Sequence, residues 1–157
     1  MNRFNSKALI IYFLPLVIFS CDQKKETEEE NVIDYKPAMI QADRDFSRLS
    51  EEKGMKYAMI QFIDGRGVLL RPNTLPMVGG DAINFISQAN DASYTMTWEP
   101  NGGSIAKSGE LGYTYGVYSL KPTNKDTVFY GTYVSIWKRQ PNGNWKFVLE
   151  TGNDGIE

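Results

Sequence analysis

From Ala92 to the C-terminus the chain is cut at short intervals by turn signals, and that spacing leaves room for little besides antiparallel strands. Pro100-Asn101-Gly102-Gly103, Ser108-Gly109-Glu110, Pro122-Thr123-Asn124-Lys125 and Asn142-Gly143 separate five runs rich in β-branched and aromatic residues, at 93–99, 104–108, 111–120, 127–139 and 145–151. Asn142-Gly143 is the strongest of these signals, because a two-residue type I′ hairpin turn needs positive φ at both central positions. With Pro141 facing Asn144, Tyr133, Ser135 and Trp137 share a face with Val148 and Glu150, while Val134, Ile136 and Lys138 share the other with Phe147 and Leu149. Large apolar groups on both faces fit a sheet whose concave side holds helices and a cavity and whose convex side is partly covered by a partner subunit.

The preceding segment has the other periodicity. Pro37 suits a first helical turn, and Met39, Ala42, Phe46 and Leu49 form one apolar stripe. Gly54 interrupts, and 55–63 reads as a second helix presenting Met55, Met59, Phe62 and Ile63. A short strand over 67–72 ends at Pro72, and Asp81 is placed to cap a third helix carrying Ala82, Phe85, Ile86 and Ala89. Helices followed by a run of antiparallel strands define an α+β fold, with the helices on one face of a curved sheet.

At 157 residues one core suffices. The chain has no histidine, which excludes Ser-His and Cys-His nucleophiles and the commonest zinc and iron sites. No carboxylate-rich metal loop is present, and no cofactor is expected. Without residues 1–20, which hold Arg3, Lys7 and no acid, the formal charge is −4 rather than −2, and no Lys/Arg cluster matches a nucleic-acid surface. Chemistry, if any, rests on carboxylates, Arg, Lys or Tyr.

Residues 1–7 are cationic and Ala8–Ser20 is uncharged and mostly apolar. As a helix, that stretch would span about 20 Å, short of a bilayer's roughly 30 Å hydrocarbon core, so it reads as a signal-peptide core. Its end, Ile18-Phe19-Ser20-Cys21, resembles the lipobox of bacterial lipoproteins. The resemblance implies that Cys21, the single cysteine, is acylated, becomes the new N-terminus and anchors the protein to a lipid bilayer. The stretch Asp22–Glu30 resembles the export tag of cell-surface lipoproteins and leads into a polar tether over 21–36, so the folded domain is expected over 37–157.

Five stretches in order, ADRDFSRLSEEKG (42–54), VLLRPNTLPMVGGDAI (68–83), WEP (98–100), SGELGYTYGVY (108–118) and YVSIWKRQPNGNWKFVLETGN (133–153), resemble the nuclear transport factor 2-like superfamily, in a bacterial branch of it. That superfamily includes ketosteroid isomerase and the SnoaL-like cyclases. The resemblance implies a cone-shaped α+β fold, three helices wrapped on a strongly curved antiparallel sheet, a pocket in the cone, and homodimers. The base of ketosteroid isomerase is a carboxylate just after the first strand. Here that place holds Arg71-Pro72, and an Arg cannot take up a proton at neutral pH.

The candidate pocket residues are Arg71, Trp98, Tyr113, Tyr115, Tyr133, Trp137 and Glu150. Arg71 either pairs with Glu150 for structure alone or grips an anionic ligand group. The aromatics either fill a core or line a cavity for a small amphipathic molecule. Gly112 and Gly116 are expected to admit neighbouring aromatics or a sheet bend, and Asp43, Asp45, Glu51 and Glu52 to be solvated. Three functions fit: a ligand-binding or accessory domain without turnover; a cofactor-free isomerase, dehydratase or cyclase with Glu150 as acid/base and Arg71 or a Tyr stabilising an oxyanion; or a structural dimer with a filled cone.

Overall fold

The computed structural model describes residues 33–155. The signal core, Cys21 and the acidic tether up to Val32 lie outside the described residues. Helix α1 (Lys36–Lys53) is followed by α2 (Met55–Phe62), β1 (Ile63–Leu70), a two-residue β2 (Met77–Val78), α3 (Gly80–Gln88), and then β3 (Tyr94–Ile105), β4 (Leu111–Pro122), β5 (Phe129–Arg139) and β6 (Trp145–Asp154). The six strands form one sheet in the order β2-β1-β6-β5-β4-β3, with the three helices packed on it. All neighbours run antiparallel except β1 and β6, which pair in parallel. The fold is α+β.

Helix α1 lies along β3, and its buried line runs Met39, Asp43, Phe46, Ser47 and Ser50. Ala42 and Leu49, expected in the stripe, sit at its half-buried margin. The face is turned toward Asp43 and the serines because β3 is an edge strand whose outward amide groups need partners. Ser47 Oγ accepts from the Trp98 amide at 2.8 Å, and Ser50 Oγ donates to the Met96 carbonyl at 2.7 Å. Helix α1 thus closes the sheet edge as well as covering the core.

Below α1 an aromatic cluster fills the inner face. Phe46 meets Trp98 edge-on at 4.6 Å between centroids and stacks with Phe62 at 5.1 Å and Phe147 at 5.6 Å. Such pairs contribute about 0.5–1.5 kcal/mol each beyond the area they bury.

Three local expectations are corrected. The Pro100–Gly103 segment is not a turn: β3 runs through it, with a bulge between Pro100 and Gly102, and a proline is tolerated because the strand is at the sheet edge. The third helix is capped by Gly79, at φ 55°, with no side-chain bond, and Asp81 lies in its first turn. The last hairpin has a three-residue loop rather than two: Gln140 N–H donates to Asn144 O at 2.7 Å and Gly143 N–H to Gln140 O at 2.9 Å, with Gly143 alone of the loop residues at positive φ. Trp137 consequently pairs with Phe147, which is buried on the core face and not on the outer one. A bulge between Ile136 and Trp137 then absorbs the extra residue, so Ser135 pairs with Glu150 and Tyr133 with Gly152 as the two-residue register predicts.

Candidate functional site

A cavity of about 350 Å³ opens between α2, α3 and the inner face of the sheet. Its walls are largely apolar, from Met55, Met59, Ile86 and Met96, and its polar groups come from Lys56, Arg71, Glu150, Tyr94, Tyr118, Tyr133 and Asp154. Arg71 directly follows β1, and the parallel pairing of β1 with β6 sets Leu69 against Glu150, which brings guanidinium and carboxylate together. Arg71 Nη2 donates to Glu150 Oε2 at 2.5 Å, and Nη1 donates to Leu70 O at 2.9 Å. The Glu150 side chain is one-tenth exposed, that of Arg71 about a quarter (24%). Burial raises the Glu150 carboxyl above its ordinary range, and the charge and hydrogen bond of Arg71 oppose that shift.

A second buried carboxylate lies behind the cavity wall. Asp43, expected in solvent, is fully buried and accepts from Trp98 Nε1 at 2.8 Å and from Tyr133 O–H at 2.7 Å. Burial raises its carboxyl, while the hydrogen bonds from Tyr133 and Trp98 pull the other way. Burial, together with the charge of Asp43, drives the Tyr133 phenol far upward, so it remains a donor. Nearer the rim, Tyr118 donates to the Asp154 carboxylate; burial and that partner push its phenol up to about 12. Each carboxylate named here is already engaged.

The candidate residues divide by strand parity. Arg71, Tyr133 and Glu150 line the cavity, and Trp98 joins Tyr133 and Glu150 around a small void next to it. Trp137 is completely buried, donating from Nε1 to Thr114 Oγ1 at 2.8 Å, and belongs to the core. Tyr113 and Tyr115 are on the opposite face, 45% and 50% exposed, because on β4 it is Gly112, Thr114, Gly116 and Tyr118 that point inward. The two glycines make room for large neighbours: a Cβ at Gly116 would lie 2.8 Å from the Tyr133 ring and one at Gly112 2.5 Å from Met39 Sδ. Sequence reading missed Asp43, Tyr118 and Asp154. A tyrosine at even parity on β4, against outward Tyr113 and Tyr115, was the available signal for Tyr118.

Among the described residues no group of three His, Cys, Asp or Glu side chains is arranged to hold a metal, and no helix is long and apolar enough to cross a membrane.

No protein-family model matches the chain, and no curated protein does. Solved structures do. A ketosteroid isomerase-like protein from Erwinia carotovora atroseptica superposes with a TM-score of 0.60 at 14% identity, covering 80% of this chain and 100% of its own. An NTF2-like protein with a cystatin-like fold from Novosphingobium aromaticivorans gives 0.59 at 12% identity, covering 74% and 80%. A hexachlorocyclohexane dehydrochlorinase gives 0.55 at 12% identity, covering 76% and 85%. The fold is therefore the nuclear transport factor 2-like, or cystatin-like, fold. At this level of identity the likeness defines architecture, and the chemistry has to be read from the site.

Proposed function

We propose that the protein is an exported lipoprotein, anchored through acylated Cys21, whose domain binds a small amphipathic molecule without turning it over. The observation that supports binding over catalysis is the engagement of both carboxylates that line the cavity, Glu150 with Arg71 and Asp154 with Tyr118, and of Asp43 behind its wall with Tyr133 and Trp98. A general base needs a lone pair within reach of a substrate proton. Here Glu150 Oε2 and Asp154 Oδ1 already accept from Arg71 and Tyr118, while methionine and aromatic surface lines the space.

Ala89, half-exposed at the cavity mouth where α3 ends, gives a way to test this without disturbing the core. The neutral fluorophore N-phenyl-1-naphthylamine is expected to bind the full chain with enhanced emission, and Ala89→Phe to abolish that enhancement while leaving the melting temperature unchanged. Equal enhancement in both proteins would remove the cavity as a binding site.

The second reading is a cofactor-free isomerase, dehydratase or cyclase using Glu150 as acid/base and Arg71 as oxyanion partner. It draws on one specific observation, the upward shift of Glu150 in an open cavity, which is the direction an acid/base working near neutrality requires. Turnover of a supplied ketosteroid or aryl ketone that disappears in Glu150→Gln would favour it.

A further inference from the structure

A second hollow, of about 380 Å³, adjoins the first at the rim of the sheet. Val128, Phe129 and Tyr130 wall it on one side and Gly155 on another. Its remaining residues, Tyr118, Leu120 and Asp154, line the inner cavity too, so these three form the partition between the two spaces.

The partition is thin and held at one point. Tyr118 reaches across β5 at Gly131, its partner in register, to the Asp154 carboxylate on β6. It can do so because Gly131 has no side chain: a Cβ there would lie 2.3 Å from the Tyr118 ring, and one at Gly152 would lie 3.5 Å from it. The ring thus rests on a glycine floor, tied at its tip by the hydrogen bond to Asp154. On the outer side Val128, Phe129 and Tyr130 are 37%, 49% and 50% exposed, three successive apolar residues gathered at one rim. Continuity with the inner cavity supplies their occupant.

We infer that the two hollows are the halves of one site for an elongated, uncharged amphipathic molecule, with Tyr118 as the door between them. Its polar head meets the Arg71–Glu150 pair inside, and its apolar tail lies on Phe129 and Tyr130 outside. This rests on the ligand-binding reading above. The head is uncharged because the charges lining the inner cavity sum to zero, Lys56 and Arg71 against Glu150 and Asp154. Each hollow alone is near the lower limit of ligand-pocket sizes, whereas the two joined fall well inside the usual range of roughly 300–1,000 Å³.

The test is displacement of N-phenyl-1-naphthylamine from the full chain by linear primary alcohols from hexanol to hexadecanol. Affinity should rise about fourfold per methylene, and continue rising to dodecanol or beyond, because the tail passes Tyr118 into the outer hollow. Phe129→Asp should weaken dodecanol about tenfold or more and leave hexanol unchanged, and Tyr118→Phe should favour the long alcohols over hexanol. If hexanol binds but affinity stops rising once the inner cavity is full, and Phe129→Asp has no selective effect, the bipartite site is wrong and the inner site stands. If no alcohol displaces the fluorophore, the ligand-binding reading itself falls. Tighter binding of dodecanoate than of dodecanol at neutral pH would overturn the uncharged head.

Discussion

At the scale of single residues the domain is organised by carboxylates that sequence reading places in water or in a ligand's reach. Asp43 is the clearest case. Its donors, Trp98 and Tyr133, are 55 and 90 positions away in the chain, so nothing in the local helix pattern announces them. A polar residue among Arg44 and Asp45 reads as solvated until tertiary structure supplies its partners. Glu150 is different, since its pairing with Arg71 follows from strand ends brought together and was one of the two readings open in the sequence. Its titration has a definite sign. A carboxyl whose folded pKa lies above the ordinary 4.5 favours the folded state below that value, and this contribution is lost as pH rises from 4.5 through the folded pKa. Glutamine does not titrate. The unfolding free energy of the wild type relative to Glu150→Gln, from urea titrations at several pH values, is therefore expected to fall with rising pH across that window, by at most about 1.4 kcal/mol per unit, and then level off. A difference that grows with pH would show that Arg71, and not burial, sets the charge state of Glu150.

At the scale of elements the α+β order, the three helices and most strands are legible because periodicity and turn residues report local geometry. What is not legible depends on contacts between distant segments. Pro100 to Gly103 has the composition of a turn and becomes a bulged edge strand because α1 and β4 hold it on both sides. The two-residue β2 carries no pattern of its own, and the parallel pairing of β1 with β6 cannot be read from strand spacing. The last hairpin shows how two local errors cancel: the loop has one residue more than Asn-Gly predicts, and the bulge after Ile136 takes one back. The pocket end of the sheet is therefore correctly faced while the hairpin end is not, which is why Glu150 falls on the predicted side and Phe147 does not. Gly143 carries the loop at φ 86°, a conformation that costs an L-residue about 1 kcal/mol or more. Its ideal Cβ would approach nothing nearer than Arg139 at 3.9 Å, so backbone strain is the only penalty. Gly143→Ala should lower stability by about 1 kcal/mol in chemical denaturation and leave fluorophore binding intact. An unchanged midpoint would mean that the loop relaxes to another turn type.

At the scale of the whole domain one feature is left over once core and cavity are accounted for. Leu111, Tyr113, Tyr115 and Val117 stand exposed along the outer face of β4, at 43%, 45%, 50% and 37%. In the sheet register Ile136 lies opposite Tyr113, Val134 opposite Tyr115, and Leu149 opposite Ile136, so the apolar surface continues across three strands. The inner faces of the same strands are already filled by Trp137, Phe147 and Tyr133, which leaves this side for something outside the domain. We propose a second copy of the chain as its occupant, sheet against sheet, since a stable interface needs only about 800 Å² from each partner and a three-strand face supplies surface of that order. Tyr115 is central to the strip, and a glutamate there would put an unpaired charge in a desolvated contact, a cost of several kcal/mol that a dimer of this size would not survive. The full chain in detergent should run as a dimer in light scattering after size exclusion, and Tyr115→Glu as a monomer of half the mass. Because Tyr115 points away from the cavity, the variant should retain fluorophore binding. A wild-type monomer, or a dimer indifferent to Tyr115→Glu, would leave the strip without this partner, and binding retained by a monomeric Tyr115→Glu would show that the cavity works one chain at a time.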